Sequence, residues 1–126
     1  MDNITYKDFK KLDIRIGTVK KAEVPGWSHW VVKLTVDLGE EIGERTIFAG
    51  ILGFYEPKDL EGRQMPFLVN IEPKKIGPKG DLSEGMMLAA NLELNEPVEV
   101  VKGEELDQKP VLIALSEKVP NGTKIV

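Results

Sequence analysis

The chain has 126 residues, 41% hydrophobic and 30% charged, with 17 Lys and Arg against 21 Asp and Glu, one His and no Cys. This is the size of one domain around one core, and no window approaches the roughly 18 apolar residues of a membrane helix, so neither a second domain nor a membrane partner is expected. Without cysteine there is no disulfide, thiolate nucleophile or structural zinc site, and a histidine-centred triad would rest on His29 alone.

His29, in Gly26-Trp27-Ser28-His29-Trp30, is read as an ordinary structural or solvent-facing residue of a loop entering a strand. The acidic residues have no short spacing that marks a magnesium site, so no cofactor is expected. Met1-Asp2-Asn3-Ile4-Thr5 has no basic segment followed by an apolar run, which makes the cytoplasm the expected compartment.

Thr5-Tyr6-Lys7-Asp8 has the capping-box pattern, with Phe9 and Leu12 following at helical spacing, and predicts a short helix over about 5–11. From Asp13 the period becomes two: Ile14 and Ile16 share a face, Arg15 takes the other, and Gly17 marks a bulge or tight bend. The longest alternation runs from Trp30 to Leu38 and places Trp30, Val32, Leu34, Val36 and Leu38 on a buried face. Gly39 to Glu44 is a turn, and Thr46 to Ile51 returns as the second strand of an antiparallel hairpin.

Tyr55 to Gly62, with Pro57 early and Gly62 at its end, suits one helical turn. Met65, Phe67, Val69 and Ile71 alternate in a strand that Pro66 would place at an edge or at its own start. Pro73 to Gly85, rich in Gly and Pro, reads as a long irregular loop carrying Lys74, Lys75 and Lys79, of the kind that often binds ligands. Met86 to Leu92 reads as a buried strand; Val98 to Val101 and Val111 to Leu115 are two further apolar strands, and Val119 to Thr123 a turn region.

Five core strands with a short helical connection before the fourth, and no alternation of strands with helices, point to a small all-β barrel, for which the five-stranded OB-fold fits the count. The barrel is expected over about 13–92. The strands of about 93–126 need a cover, which predicts a C-terminal β extension that pairs two copies of this single domain.

A net charge of −4 argues against a general polyanion binder. Its distribution matters more: residues 1–36 carry seven basic and four acidic groups and residues 63–80 four and one, while 37–62 carry two and seven and 81–107 one and eight. Two basic stretches therefore stand in an acidic chain. Folded together, for example with Arg15 and Lys33 beside the lysines of 74–79, they form a positive face; kept apart, they only solvate a surface.

Catalytic signatures are absent: the sequence has no phosphate-binding Gly-rich loop ending in Lys-Ser/Thr, no Gly-x-Ser-x-Gly elbow and no His-Glu-x-x-His, so a non-enzymatic role is expected. What it has instead is a series of local strings in order. These are Phe9-Lys10-Lys11-Leu12-Asp13-Ile14-Arg15-Ile16-Gly17, Val36-Asp37-Leu38-Gly39-Glu40, Arg45-Thr46-Ile47-Phe48-Ala49-Gly50-Ile51, Tyr55 to Gly62, Val69-Asn70-Ile71-Glu72-Pro73-Lys74-Lys75 and Ser83-Glu84-Gly85-Met86-Met87-Leu88-Ala89-Ala90. Together they resemble the tRNA-binding domain found at the C-terminus of methionyl-tRNA synthetases and in stand-alone structure-specific tRNA-binding proteins. The resemblance extends to Val119-Pro120-Asn121-Gly122-Thr123-Lys124-Ile125. One segment departs from it: many members carry His-Pro-x-Ala-Asp-Lys-Leu before the second strand, where this chain has Val24-Pro25-Gly26-Trp27-Ser28-His29-Trp30.

The resemblance implies an OB-fold that recognises folded tRNA by its shape through backbone contacts, a dimerising C-terminal extension, and an aminoacyl-tRNA synthetase as a candidate partner. Matched residue by residue, it places Asn70, Lys74, Lys75, Ser83 and Met86 on the binding side; Lys33, Arg45 and Lys79 are added for charge and location. Each has a plainer alternative. Asn70 suits a turn as well as an RNA contact, and of Met86 and Met87, both natural core filler, only one faces outward. Trp27 is either a stacking platform or, preferably, a ring tucked on the barrel end. The competing function, implied by the same resemblance, is a dimeric OB-fold chaperone or interaction module for peptides; an exposed apolar groove would favour it, and a continuous basic face would favour RNA.

Overall fold

In a computed structural model that describes residues 2–28, 30–101 and 103–126, the elements in chain order are α1 (Tyr6–Phe9), β1 (Ile14–Glu23), β2 (Val32–Asp37), α2 (Gly39–Ile42), β3 (Glu44–Ala49), α3 (Pro57–Leu60), β4 (Gln64–Leu68), β5 (Lys74–Ile76), β6 (Asp81–Ser83), β7 (Met86–Met87), β8 (Ala89–Val101) and β9 (Glu104–Leu112). His29 lies outside the described residues. Among those described, no helix is long and apolar enough to cross a membrane.

The N-terminal turn forms where its capping pattern predicts, Thr5 Oγ1 accepting the Asp8 N–H at 3.1 Å, and ends at Phe9, short of residue 11. Strong alternation then builds the sheet. β1 pairs antiparallel with both β2 and β4, β2 with β3, and β4 with β7, in the order β3-β2-β1-β4-β7. The two ends of this row pack on each other, and Glu84 N–H donates to the Thr46 carbonyl at 2.8 Å across the seam. The result is the nearly closed five-stranded antiparallel barrel expected of an OB-fold. Inside it, Val19, Val32, Leu34, Val36, Ile47 and Phe67 are fully buried, and Leu60 of α3 joins the same core. Burial of each is favourable by about 1.5–3 kcal/mol.

Several local expectations are corrected. Gly17 is not at a bulge; the register slips between Val19 and Lys21. A Cβ on Gly17 would lie 2.6 Å from Val36 Cγ1 and 2.7 Å from Leu38 Cδ2, so glycine there permits close packing across β1 and β2. The buried face of β2 begins at Val32. Val31 and Val32 are both buried, which breaks the alternation, and Trp30 stands 52% exposed.

Pro66 is neither at an edge nor at the start of its strand: it sits inside β4 opposite Ile16. It is tolerated because β7 reaches only Phe67 and Leu68 on the other side, where Pro66 contributes a carbonyl to the Leu88 N–H. The turn expected at 39–44 contains the single helical turn α2.

The stretch 73–85 is not an irregular loop but the hairpin β5–β6, with Lys74, Lys75 and Ile76 opposite Ser83, Leu82 and Asp81. Gly77, Pro78 and Gly80 make its turn, where Gly77 has φ +80° and its missing Cβ leaves room for the Trp27 ring, while Pro73 and Gly85 flank the two strands. Beyond the barrel, β8 and β9 form a two-stranded ribbon. The second of its strands is Glu104–Leu112 rather than Val111 to Leu115. The ribbon touches the barrel through the Tyr55 hydroxyl, which donates to the Pro110 carbonyl at 2.9 Å. The chain then returns to β1: Gly122 N–H donates to the Ile16 carbonyl, Ile16 N–H to that of Thr123, and Ile125 N–H to that of Ile14.

Candidate nucleic-acid interface

Apart from Lys33 on β2, the residues singled out from sequence gather around the β5–β6 hairpin, in two unequal roles. Some are staples. Ser83, buried at the foot of the hairpin, accepts the Phe48 N–H at 3.0 Å and donates to the Gly85 carbonyl. Arg45 Nη1 donates to the carbonyls of Val69 at 2.6 Å and Glu84 at 3.3 Å. Asn70 Oδ1 accepts the Asp13 N–H at 2.9 Å while its Nδ2 donates to the Lys11 carbonyl at 2.6 Å, tying the N-terminal turn to the end of β4. These three side chains spend their hydrogen bonds on the fold.

The others are free. Among the described residues, the ammonium groups of Lys33, Lys74, Lys75 and Lys79 have no ion pair or hydrogen bond. Lys74, Lys75 and Lys79 are exposed, and Lys33 of β2 is half-buried.

Arg15 does not join them. It is 8% exposed and donates through Nε to Asp13 at 2.7 Å and through Nη1 to Glu41 at 3.2 Å and the Gly122 carbonyl at 3.1 Å. The hydrogen bond to Asp13, then that to Glu41, raises its pKa above the ordinary arginine value. Arg15 is thus a clamp, since three parts of the chain compete for its donors before any phosphate can.

Two clefts meet at this face. One, of about 220 Å³, is lined by Trp30, Val31, Phe48, Ile71, Ile76 and Met86, with Glu72 and Lys74 as its charged groups. The second, of about 310 Å³, holds Arg45, Asn70, Glu72 and Glu84. Lys74 and Ile76 line the first cleft while Lys75, between them, turns to the other face of the hairpin. Met86 is outward, 43% exposed, and Met87 packs against the core.

Trp27 takes the plainer of its two roles, half-buried with its ring 6.1 Å from that of Phe48. Trp30 is the cleft residue that alternation assigned to the core. The adjacent valines, Val31 and Val32, held the only signal that the pattern fails there. Glu72, Asp81 and Glu84 stand at this face with the lysines, and a larger acidic group, the exposed Glu93, Glu96, Glu99, Glu104, Glu105 and Asp107, lies on the β8–β9 ribbon.

Comparison with known proteins gives the family. A family model described as "Putative tRNA binding domain" matches residues 14–124. The methionine–tRNA ligase of Archaeoglobus fulgidus is 39% identical over 124 residues, which are 98% of this chain and 16% of that enzyme; the chain therefore spans about a sixth of this relative's length. Among solved structures, a MetRS-related protein from Pyrococcus horikoshii superposes with a TM-score of 0.81 at 35% identity, over 100% of both chains. The chaperone CsaA of Bacillus anthracis superposes with a TM-score of 0.75 at 33% identity, over 99% of this chain and 100% of that one. The matched span runs from the first barrel strand to the returning tail, and on that ground the chain belongs to the tRNA-binding domain family, related to the C-terminal domain of methionyl-tRNA synthetases and to CsaA-like proteins.

Proposed function

We propose that this chain is a non-catalytic cytoplasmic module that binds folded tRNA by shape, as a homodimer paired through the β8–β9 ribbon, on its own or beside an aminoacyl-tRNA synthetase. The observation that carries this reading is the set of unpaired lysines on the β5–β6 hairpin beside a cleft, with the largest group of exposed acidic residues on a separate ribbon. Free ammonium groups can neutralise phosphates without first breaking an ion pair, and shape rather than sequence is what a structured RNA offers to such a surface. Dimerisation is supported by the ribbon, where Leu92, Val98 and Leu106 are 49%, 44% and 42% exposed. An isolated pair of strands with an uncovered apolar face is marginal in water.

The test is the double substitution Lys74→Glu and Lys75→Glu. Each phosphate contact contributes about −0.7 to −0.9 to the slope of log affinity against log salt, so four contacts give roughly −3. The double variant is expected to bind folded tRNA more weakly and with a flatter slope, at nearly unchanged Tm. A variant that binds like wild type would remove the hairpin from the interface. A second reading, a peptide-binding chaperone, is favoured by the apolar lining of the Trp30 cleft and by the CsaA likeness. Equal affinity for folded tRNA and for an unstructured RNA of the same length would move the preference to it.

A further inference from the structure

We infer that the cleft bounded by Trp30 and Met86 takes one unstacked base of the bound RNA, with the Trp30 ring as its stacking platform. The inference rests on the RNA-binding reading and adds to it a base contact where backbone recognition alone is otherwise proposed. Trp30 is 52% exposed, an unfavourable placement for the largest apolar side chain unless a partner covers it. Its position is nevertheless fixed. Its N–H and that of Val31 both donate to Ser28 Oγ, at 3.2 and 2.9 Å, and its carbonyl accepts the Leu52 N–H at 3.3 Å. The ring lies over Gly50, where a Cβ would stand 3.4 Å from Trp30 Cε3. A held aromatic ring can stack a base at little entropic cost, whereas a mobile one cannot.

The chemistry of the cleft selects the occupant. Its volume of about 220 Å³ is below the roughly 300–1,000 Å³ of pockets that enclose drug-sized ligands, so it suits one ring rather than an extended molecule. Glu72 and Lys74 both line it; the Glu72 carboxylate disfavours a phosphate inside the cleft, and an acceptor and a donor together suit a neutral base with polar edges. The attached phosphates stay outside, within the field of the exposed Lys74 at the rim and Lys79 at the hairpin turn. That charge complementarity favours a nucleotide over an apolar peptide side chain, which would gain nothing from unpaired lysines.

The experiment uses the full chain labelled with 5-fluorotryptophan, with Trp30→Phe assigning the two fluorine signals. Folded tRNA, a short single-stranded RNA and the same strand with abasic positions are each titrated in. The Trp30 signal is expected to move with tRNA and with the base-bearing strand and to stay in place with the abasic one. Trp30→Ala should weaken binding of the base-bearing strand about tenfold, and Trp30→Phe, which keeps a ring, by less. A Trp30 signal that is silent, or equally sensitive to the abasic strand, overturns the inference, as does wild-type affinity in Trp30→Ala. So does an apolar peptide that moves the Trp30 signal when neither RNA does, which would assign the cleft to peptides. If tRNA binds while Trp30 stays silent, only the base cleft falls; if the base-bearing strand moves Trp30 and folded tRNA does not bind, only shape recognition falls.

Discussion

Within the barrel, Val19, Val32, Leu34, Val36 and Ile47 are fully buried, while on the β8–β9 ribbon Leu92, Val98 and Leu106 remain 42–49% exposed. Both regions are antiparallel strands with apolar residues at intervals of two. The difference is topological: each central barrel strand has a neighbour on both sides and the row nearly closes, so its inner face sees only other side chains. The ribbon has two strands and no second layer of its own. Alternation thus states that a face needs a cover, and only the assembly of strands decides whether the chain supplies one.

Three perturbations separate the two regions, beginning with the largest. Phe67→Ala, in the fully buried centre of β4, should cost about 3–5 kcal/mol and lower Tm by roughly 10–20 °C in calorimetry. A loss under about 1 kcal/mol would mean that the barrel interior is loosely packed. On the ribbon, Val98 and Leu106 lie directly opposite each other. Replacing both with Ser should leave the barrel transition nearly in place while raising the dimer dissociation constant by roughly 30- to 100-fold, about 2–3 kcal/mol. Light scattering over a concentration series reads this directly, and a wild-type chain that is monomeric at micromolar concentration sinks the dimer.

The smallest effect concerns the tail that returns from the ribbon to β1. Arg15→Met removes the hydrogen bonds to Asp13, Glu41 and the Gly122 carbonyl and should cost about 1–2 kcal/mol, because the exposed Glu41 stays solvated and the loss falls on Asp13 and the Gly122 carbonyl. The folded state raises the pKa of Arg15. Its contribution is therefore complete below the ordinary arginine value and is lost only as pH rises through the raised one. Titration of Arg15 itself should leave the difference between wild type and variant flat over roughly pH 5–9. A difference that faded on the alkaline side of that range would show that the clamp is not held by the guanidinium charge.

Much of the site was legible because its residue types act locally. Charge density marks the free lysines at 74, 75 and 79, and strand parity states that one of Met86 and Met87 faces outward, though not that it is Met86. Arg45, Asn70 and Ser83 lie near the hairpin, but their roles as staples are not legible in the sequence: their partners are backbone groups of Val69, Lys11, Asp13 and Phe48, distant in sequence, and no spacing rule reaches them. The hairpin at 74–83 was hidden by its own turn. Two glycines and a proline within four residues read as disorder of pattern, though they only reverse the chain between two three-residue strands.

The sequence by itself determined which segments alternate, where the capped turn begins and where charge concentrates, because period, capping and composition depend on neighbours along the chain. The tertiary structure alone decided that Arg15 is a clamp and that the Trp30 ring stands exposed over Gly50, since each outcome depends on groups brought from elsewhere: Glu41 and Gly122 around Arg15, Gly50 and Leu52 against Trp30. A side chain's period gives the face it would take in an ideal strand. Which hydrogen-bond acceptors and packing surfaces wait at that face is set by the barrel's closure.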